Sequence, residues 1–232
     1  MSAADTSPLL IQHCPVGCDA QLEASAIVLP EGPLLRCAEC GQLVSQITTA
    51  TYQRSMTAFD SPGFNLPSGS EAARRVALAR RRLDRAGRLL AKTPGEIRLI
   101  DVGCSRGDFV AAAAQLGFHA QGVEPAPQIA AAARACGLTV HEGLLEEQRF
   151  TAASFDVVTL FEVIEHLPAP LALLHECHRI LRPDGILIAS TGNTASWTVA
   201  AMQARWDYFH VAQDAGHVSF FNPRSIALIA AR

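Results

Sequence analysis

The sequence predicts an α/β protein: a mostly parallel, doubly wound sheet with helices on both faces, preceded by a small cysteine-bearing lobe. Three observations carry that expectation. From about residue 96 onward, short apolar runs alternate with helix-length segments, the pattern of strand–helix–strand units in a parallel sheet. Four of the seven cysteines fall before residue 41 in two close pairs, which reads as a metal site and not as a disulfide framework. The chain has 232 residues, 49% hydrophobic and 18% charged, which suits one to one-and-a-half globular domains and excludes disorder.

The first unit runs to about residue 50. Cys14 and Cys18 are separated by three residues, and Cys37 and Cys40 by two, with Gly41 following. Four thiolates in two such pairs close a tetrahedron around zinc, and a structural one, because no coordination position is left for substrate. The alternative is four reduced cysteines in a small β-rich lobe. Residues 48–70 are rich in Ser, Thr, Pro and Gly and read as a linker or entry loop. A helix is expected from Glu71 to Ala91, with Val76, Leu83 and Leu90 on its apolar stripe. Arg74, Arg75, Arg81, Arg82, Arg85 and Arg88 lie largely off that stripe, either as a solvated face or as a grip on an anionic ligand.

Beyond residue 96 the expected strands are Ile97–Val102, Ala120–Val123, Leu138–His141, Phe155–Phe161 and Gly185–Ser190. The expected helices are Asp108–Leu116, Pro125–Cys136 and Pro170–Leu181. Ligands of such sheets sit at the carboxyl ends of the strands. There the first strand turns into the first helix through Asp101-Val-Gly-Cys-Ser-Arg-Gly107, whose small residues let a ligand approach the backbone. The glycines are spaced G-x-x-x-G with Ser105 between them, unlike the dinucleotide fingerprint. Glu124 closes the second strand, 17 residues after Gly107, where a carboxylate accepts from both hydroxyls of a ribose or else caps the following helix.

Charge and termini narrow the classes further. The formal net charge is −3, although residues 71–92 alone carry +6, so an overall nucleic-acid binder is not indicated. Met1 to Ile11 shows neither a basic leader nor an apolar signal core, and no run reaches the ~18 apolar residues of a membrane span. The expected location is the cytoplasm.

The stretches Leu99–Phe109, Gly122–Pro125, Phe155–Leu167 and Ile180–Leu187, in this order and spacing, resemble the class I S-adenosylmethionine-dependent methyltransferases over about residues 95–192. The cysteine lobe resembles the zinc-ribbon-like module that precedes this domain in a subset of bacterial relatives. The resemblance implies a Rossmann-like domain over residues 95–232, after a zinc-ribbon-like lobe at 1–50 and a linker with an Arg-rich helix at 51–94. It implies that Asp101, Gly103, Ser105 and Gly107 surround the methionine part of S-adenosylmethionine, with Glu124 on the ribose. Gly143, Leu144 and Leu145 would lie near the adenine, and Phe161 and Glu162 near the sulfonium. Many relatives have an acid where Leu144 stands, so the adenine contact here is expected to be apolar.

Glu162, Glu165 and His166 share one face of a helical turn and are similar to the Glu-x-x-Glu-His site of enzymes that bind magnesium-like ions. His217, with His210 second, is the candidate for a further ligand. The alternative is a metal-free site in which His166 is a wall residue or a general base. His166 and His217 are the candidate catalytic residues. Six of the 14 aromatic residues fall between Trp197 and Phe221, where they either line a substrate mouth or seal one end of the core. Cys104, Cys136 and Cys177 are expected to be buried small hydrophobes.

The resemblance implies two further strands past the helix suggested at Asn222–Ile229; the expectation is either a truncated chain or a sheet without that hairpin, leaving an apolar edge open to a partner chain. The implied activity is methyl transfer from S-adenosylmethionine to a small acceptor, most simply an O-methylation. Two alternatives stay open: a cofactor-binding module with impaired catalysis, and an RNA ribose 2'-O-methyltransferase.

Overall fold

The computed structural model describes residues 7–60, 69–209 and 216–232. The chain forms two compact units. One comprises residues 60–161 and 173–190, and the other residues 1–59, 162–172 and 191–232.

The first of these is a five-stranded parallel sheet. Its strands are β4 (Arg98–Val102), β5 (His119–Glu124), β6 (Val140–Glu142), β7 (Phe155–Phe161) and β8 (Leu181–Ser190), in the order β6-β5-β4-β7-β8. The order runs outward from β4 to β6 and then restarts at β7, so the topological switch point lies between β4 and β7. A ligand crevice forms at such a point, outside the carboxyl ends of the strands. β7 is buried from Phe155 to Leu160, as befits a mostly apolar strand covered on both faces, with Asp156 and Thr159 as its buried polar residues. β8 starts at Leu181, earlier than the apolar pattern indicated, and its register with β7 shifts between Phe155 and Val157. Arg182-Pro183-Asp184-Gly185 is thereby drawn into an edge strand, where a proline's missing donor costs nothing.

Around this sheet lie α2 (Gly69–Leu90), α3 (Asp108–Gln115) and α4 (Pro127–Ala135). The buried stripe of α2 is Ala79, Leu83 and Ala86, whereas Val76 is 45% exposed. Of the expected stripe Val76, Leu83 and Leu90, only Val76 is corrected: alanines let the helix come close, Leu83 and Ala86 join Ile97, Leu99, Ala113, Phe118 and Val157 in one cluster, and Leu90 packs against it. At the amino end of β7 the buried Asp156 accepts from Lys92 Nζ, Arg182 Nη1 at 2.8 Å and the Arg98 amide at 2.8 Å. These partners hold its carboxyl below the usual range against the opposing effect of burial.

The other unit is built on an antiparallel sheet of β1 (Leu22–Leu29), β2 (Gly32–Cys37), β3 (Leu43–Val44) and β9 (Ser219–Phe220). Its core gathers Ile11, Leu34, Val44, Ile47, Val199, Phe209, Val218 and Phe220. The unit also holds α1 (Thr49–Phe59), α6 (Trp197–Met202) and α7 (Pro223–Ala230). α1 occupies the front of the segment that composition marked as a linker. No α1 residue is buried, so no apolar stripe announced it; it starts where Thr48 Oγ1 accepts from the Thr51 amide and is tied down by Tyr52, whose hydroxyl donates to the His166 carbonyl at 2.7 Å. Among the described residues, no helix is long and apolar enough to cross a membrane.

Candidate active site and cysteine centre

The turn after β4 is shaped by left-handed backbone at Gly103 (φ 71°), Ser105 (φ 49°) and Gly107 (φ 80°). At Gly107 a Cβ would meet Leu138 Cδ1 at 2.4 Å, so both conformation and space demand glycine. Ser105 adopts the same region with a side chain, a cost of order 1 kcal/mol that persists only where the surroundings impose it. Glu124 imposes it. Its Oε2 accepts from the Ser105 amide at 2.8 Å and its Oε1 from the Ala126 amide at 2.9 Å. The helix-capping and loop-binding roles weighed for this acid therefore coexist, and each carboxylate oxygen keeps a second lone pair for a ligand hydroxyl.

Asp101 lies on β4 opposite Thr159 of β7, whose hydroxyl donates to Asp101 Oδ1. Burial raises its carboxyl to about 7, helped by the nearby Glu124 charge and opposed by the Thr159 hydroxyl and Arg82. Burial likewise pushes Glu124 up. Two buried acids side by side are poorly compensated until a cation arrives. Of the arginines expected either on a solvated face or gripping an anionic ligand, Arg82 sits over the Phe161 ring, 4.0 Å from the centroid, a cation–π arrangement within electrostatic range of Asp101. Only a phase shift of the buried stripe, such as alanines at 79 and 86 provide, could have signalled this in the sequence.

Leu144 is 51% exposed and Leu145 is 1% exposed, so of the two only Leu144 offers a side chain to a ligand. Gly143 (φ 109°) precedes them, and Glu147 Oε2 accepts from the Leu144 amide at 2.8 Å. Cys104 and Cys177 are buried as expected, but Cys136 is exposed. It caps the carboxyl end of α4, which ends at Gly137 with left-handed backbone, and a terminus of that kind faces solvent.

In the other unit, donor atoms of Glu165, His166 and His217 lie within 4.8 Å of one another. Glu162, at a strained φ of 55°, is not among them; its Oε2 is 2.9 Å from the Tyr208 hydroxyl. The same hydroxyl makes a short bond to Glu165 Oε1 and accepts from the Gly192 amide at 2.8 Å. Glu165 is fully buried, and its Oε2 has no hydrogen-bond partner among the described residues. Burial raises its carboxyl to about 8, with Glu162 adding to the shift and Tyr208 opposing it. His217 Nδ1 lies 3.0 Å from the Tyr208 carbonyl, so it carries the proton and leaves Nε2 as the acceptor. His210 lies outside the described residues. Of the aromatic run, Phe209, Phe220 and Phe221 are buried, and Trp197 is 82% exposed. Trp206 stacks on Tyr208 with centroids 4.8 Å apart. Tyr208, read before only as one of the aromatic residues, is thus the hub of the acid–histidine cluster.

All four N-terminal cysteines are buried and their sulfurs lie within 4.8 Å of one another, with Cys14 and Cys40 Sγ 3.5 Å apart. Tetrahedral zinc with ~2.3 Å bonds holds its sulfurs about 3.8 Å apart, so the cluster is compatible with the ion. Burial and mutual crowding push Cys18 to about 11.

The methyltransferase-domain family matches residues 71–232. The chain belongs to this family. Its domain is of the class I, S-adenosylmethionine-dependent methyltransferase kind, with the Rossmann-like sheet of that class. It is 36% identical over 127 residues to the ubiquinone biosynthesis O-methyltransferase of Cereibacter sphaeroides, covering 51% of each chain. With the enzyme of the same description from Haemophilus ducreyi it shares 37% identity over 107 residues, 41% of this chain and 45% of that one. The chain thus spans about half the length of the curated relatives it matches. A crystal structure of an S-adenosylmethionine-dependent methyltransferase from Archaeoglobus fulgidus superposes with a TM-score of 0.55 at 19% identity, covering 69% of this chain and 67% of that one, which shows the shared fold.

Proposed function

We propose that this methyltransferase transfers a methyl group from S-adenosylmethionine to an oxygen of a small-molecule acceptor. The observation that supports it most is the pair of buried acids, Asp101 and Glu124, around the left-handed turn at the carboxyl end of β4. Bound there, the cofactor supplies an electrophilic methyl group on a positively charged sulfur. Glu124 holds the ribose hydroxyls through its remaining lone pairs, and Asp101 neutralises the cationic methionine part. The amides of Gly103, Ser105 and Gly107 border that part, Arg82 pairs with its carboxylate, and Phe161 lines the approach to the sulfur. Gly143 and Leu144 flank the adenine, while Leu145 supports them from the core.

His217 Nε2, with His166 beside it, takes the proton of the acceptor's hydroxyl as its oxygen forms the new bond to carbon and the bond from carbon to sulfur breaks. The barrier is lowered chiefly by alignment and by exclusion of water. O-methylation by the similar ubiquinone-biosynthesis enzymes favours oxygen as the acceptor atom. The buried Glu165 with its unpartnered Oε2, and the two imidazoles beside it, also offer one oxygen and two nitrogen donors to a divalent ion, a set that suits a transition metal better than magnesium and would supply acidification of an acceptor hydroxyl. Cys14, Cys18, Cys37 and Cys40 would hold zinc as a structural ion.

The test is incubation with radiolabelled S-adenosylmethionine and a panel of phenols and alcohols, with chelation and metal replacement as separate arms. Label transfer to oxygen, lost in His217→Ala, is expected. Tight binding of the demethylated cofactor without transfer to any acceptor would leave a binding module and overturn the proposal.

A further inference from the structure

The cysteine turn and the acid–histidine cluster belong to the same unit, and a continuous run of short backbone bonds joins them. Cys37 closes β2, and the Cys37 amide donates to the Gln42 carbonyl while the Gly41 amide donates to the Cys37 carbonyl, at 2.9 and 3.0 Å. Cys40 sits in the turn so formed, and β3 begins at Leu43. β3 and β9 are two residues each, paired Leu43 to Phe220 and Val44 to Ser219. The ladder goes on: the Ser45 amide donates to the Val218 carbonyl at 3.0 Å, and the Val218 amide donates to the Glu165 carbonyl at 2.8 Å. Ser219 Oγ donates to the Leu167 carbonyl at 3.2 Å, so β9 brackets the turn carrying Glu165 and His166. A second tie runs from Asn222, whose Nδ2 donates to the Cys40 carbonyl at 3.2 Å while its Oδ1 caps α7.

Val218 is therefore the node. Its two backbone groups face Ser45 on one side and Glu165 on the other, and His217 is its chain neighbour. A two-residue strand pair has little stability of its own and depends on what fixes its ends. On the β3 side that end is the turn carrying Cys37 and Cys40, whose buried sulfurs lie within 4.8 Å of those of Cys14 and Cys18, a four-donor set that a bound cation would lock together.

We propose that the metal-bound cysteine centre is the positioning element of the acid–histidine cluster: by fixing the turn before β3 it sets β9, and through Val218 it sets His217 and Glu165. The centre is then not an appended lobe but a support without which the cluster loses its geometry. This rests on reading Glu165, His166 and His217 as the groups that act on the acceptor. The tie itself is measurable whether or not methyl transfer is observed, so failure of the two readings is distinguishable.

The experiment uses the full chain, with its metal content measured, before and after removal of zinc by a chelator and after zinc is returned. Amide hydrogen exchange is followed at Gly41, Val218 and Ser219, with the β4 amides as reference. The His217 ring resonances are followed by NMR, and calorimetry gives the affinity for the demethylated cofactor. Zinc removal is expected to speed exchange at Val218 and Ser219 by at least ~100-fold and to shift the His217 resonances. The β4 amides and the cofactor affinity should change by less than about threefold, the limit set for an undisturbed sheet. Returned zinc should reverse the changes. Unchanged exchange at Val218 despite faster exchange at Gly41 would overturn the proposal, as would equal acceleration at β4 or the absence of bound metal from the purified chain. Because chelation is reversible, the result does not depend on a cysteine variant that folds.

Discussion

Replacing Asp101 with Asn separates what this residue does for the cofactor from what it costs the fold. With the folded-state carboxyl at about 7 against an ordinary 3.8, the folded protein keeps a proton that the unfolded chain has released. The contribution to stability is fully present below pH ~4, fades as the pH rises toward 7, and above that has fallen by roughly 4 kcal/mol. Asn keeps an oxygen for the Thr159 hydroxyl and never ionises. Asp101→Asn is therefore expected to match the parent at pH 4.5 and to exceed it at pH 8 by up to about 4 kcal/mol. The chain's two tryptophans and two tyrosines all lie outside the unit that holds Asp101, so amide exchange at β4, not fluorescence, is the suitable readout. The same substitution removes an anion from a site for a cationic ligand, and affinity for S-adenosylmethionine should fall ~10-fold or more. Calorimetry in buffers of differing ionisation enthalpy should show proton release when the parent binds at pH 6 and none for the variant. A stability difference that is the same at pH 4.5 and 8, or unchanged proton release, would refute the reasoning.

Other substitutions probe separate parts of the account. Arg82→Ala should weaken binding of the demethylated cofactor about tenfold through the lost carboxylate contact, with only ~0.5–1 kcal/mol of stability lost with the ring contact; titration calorimetry and thermal unfolding report the two. Tyr208→Phe strips Glu165 of the hydroxyl that lowers its pKa from an already raised value of about 8. The limb of the kcat/KM profile that follows Glu165 ionisation should therefore move to higher pH by about one unit. Gly107→Ala forces a Cβ into Leu138 at a backbone angle of φ 80°, and should cost at least ~2 kcal/mol in urea unfolding while abolishing cofactor binding.

Much of the parallel sheet was legible because its signals are local. Phe155–Phe161 is a mostly apolar segment between turn residues and forms β7 with those limits, and Asp101 and Glu124 stand at strand ends, where an acid has few structural reasons to be. The four cysteines converge as their spacing indicated. What escaped detection depends on pairing across long separations or on stretches without periodicity. Nothing within residues 43–44 or 219–220 marks them as partners, since a two-residue strand is too short for alternation to register. Tyr208 gains its role from groups at 162, 165 and 192, none of them near in sequence. Val76 departs from the expected stripe because packing distance, and not apolar weight, decides which face is buried: Ala79 and Ala86 are buried where Val76 is not. Glu162, grouped with Glu165 and His166 by helical spacing, has left-handed backbone and meets Glu165 through the Tyr208 hydroxyl that both carboxylates share.

The proposed ribose contact at Glu124 is tested most directly by titrating S-adenosylhomocysteine into the parent chain and into Glu124→Gln under identical conditions. The amide can no longer accept from two backbone amides and two sugar hydroxyls at once, so affinity should drop ~30- to 100-fold while the β4 amides stay protected. Equal affinity of the two proteins, or no binding by the parent, would contradict the account.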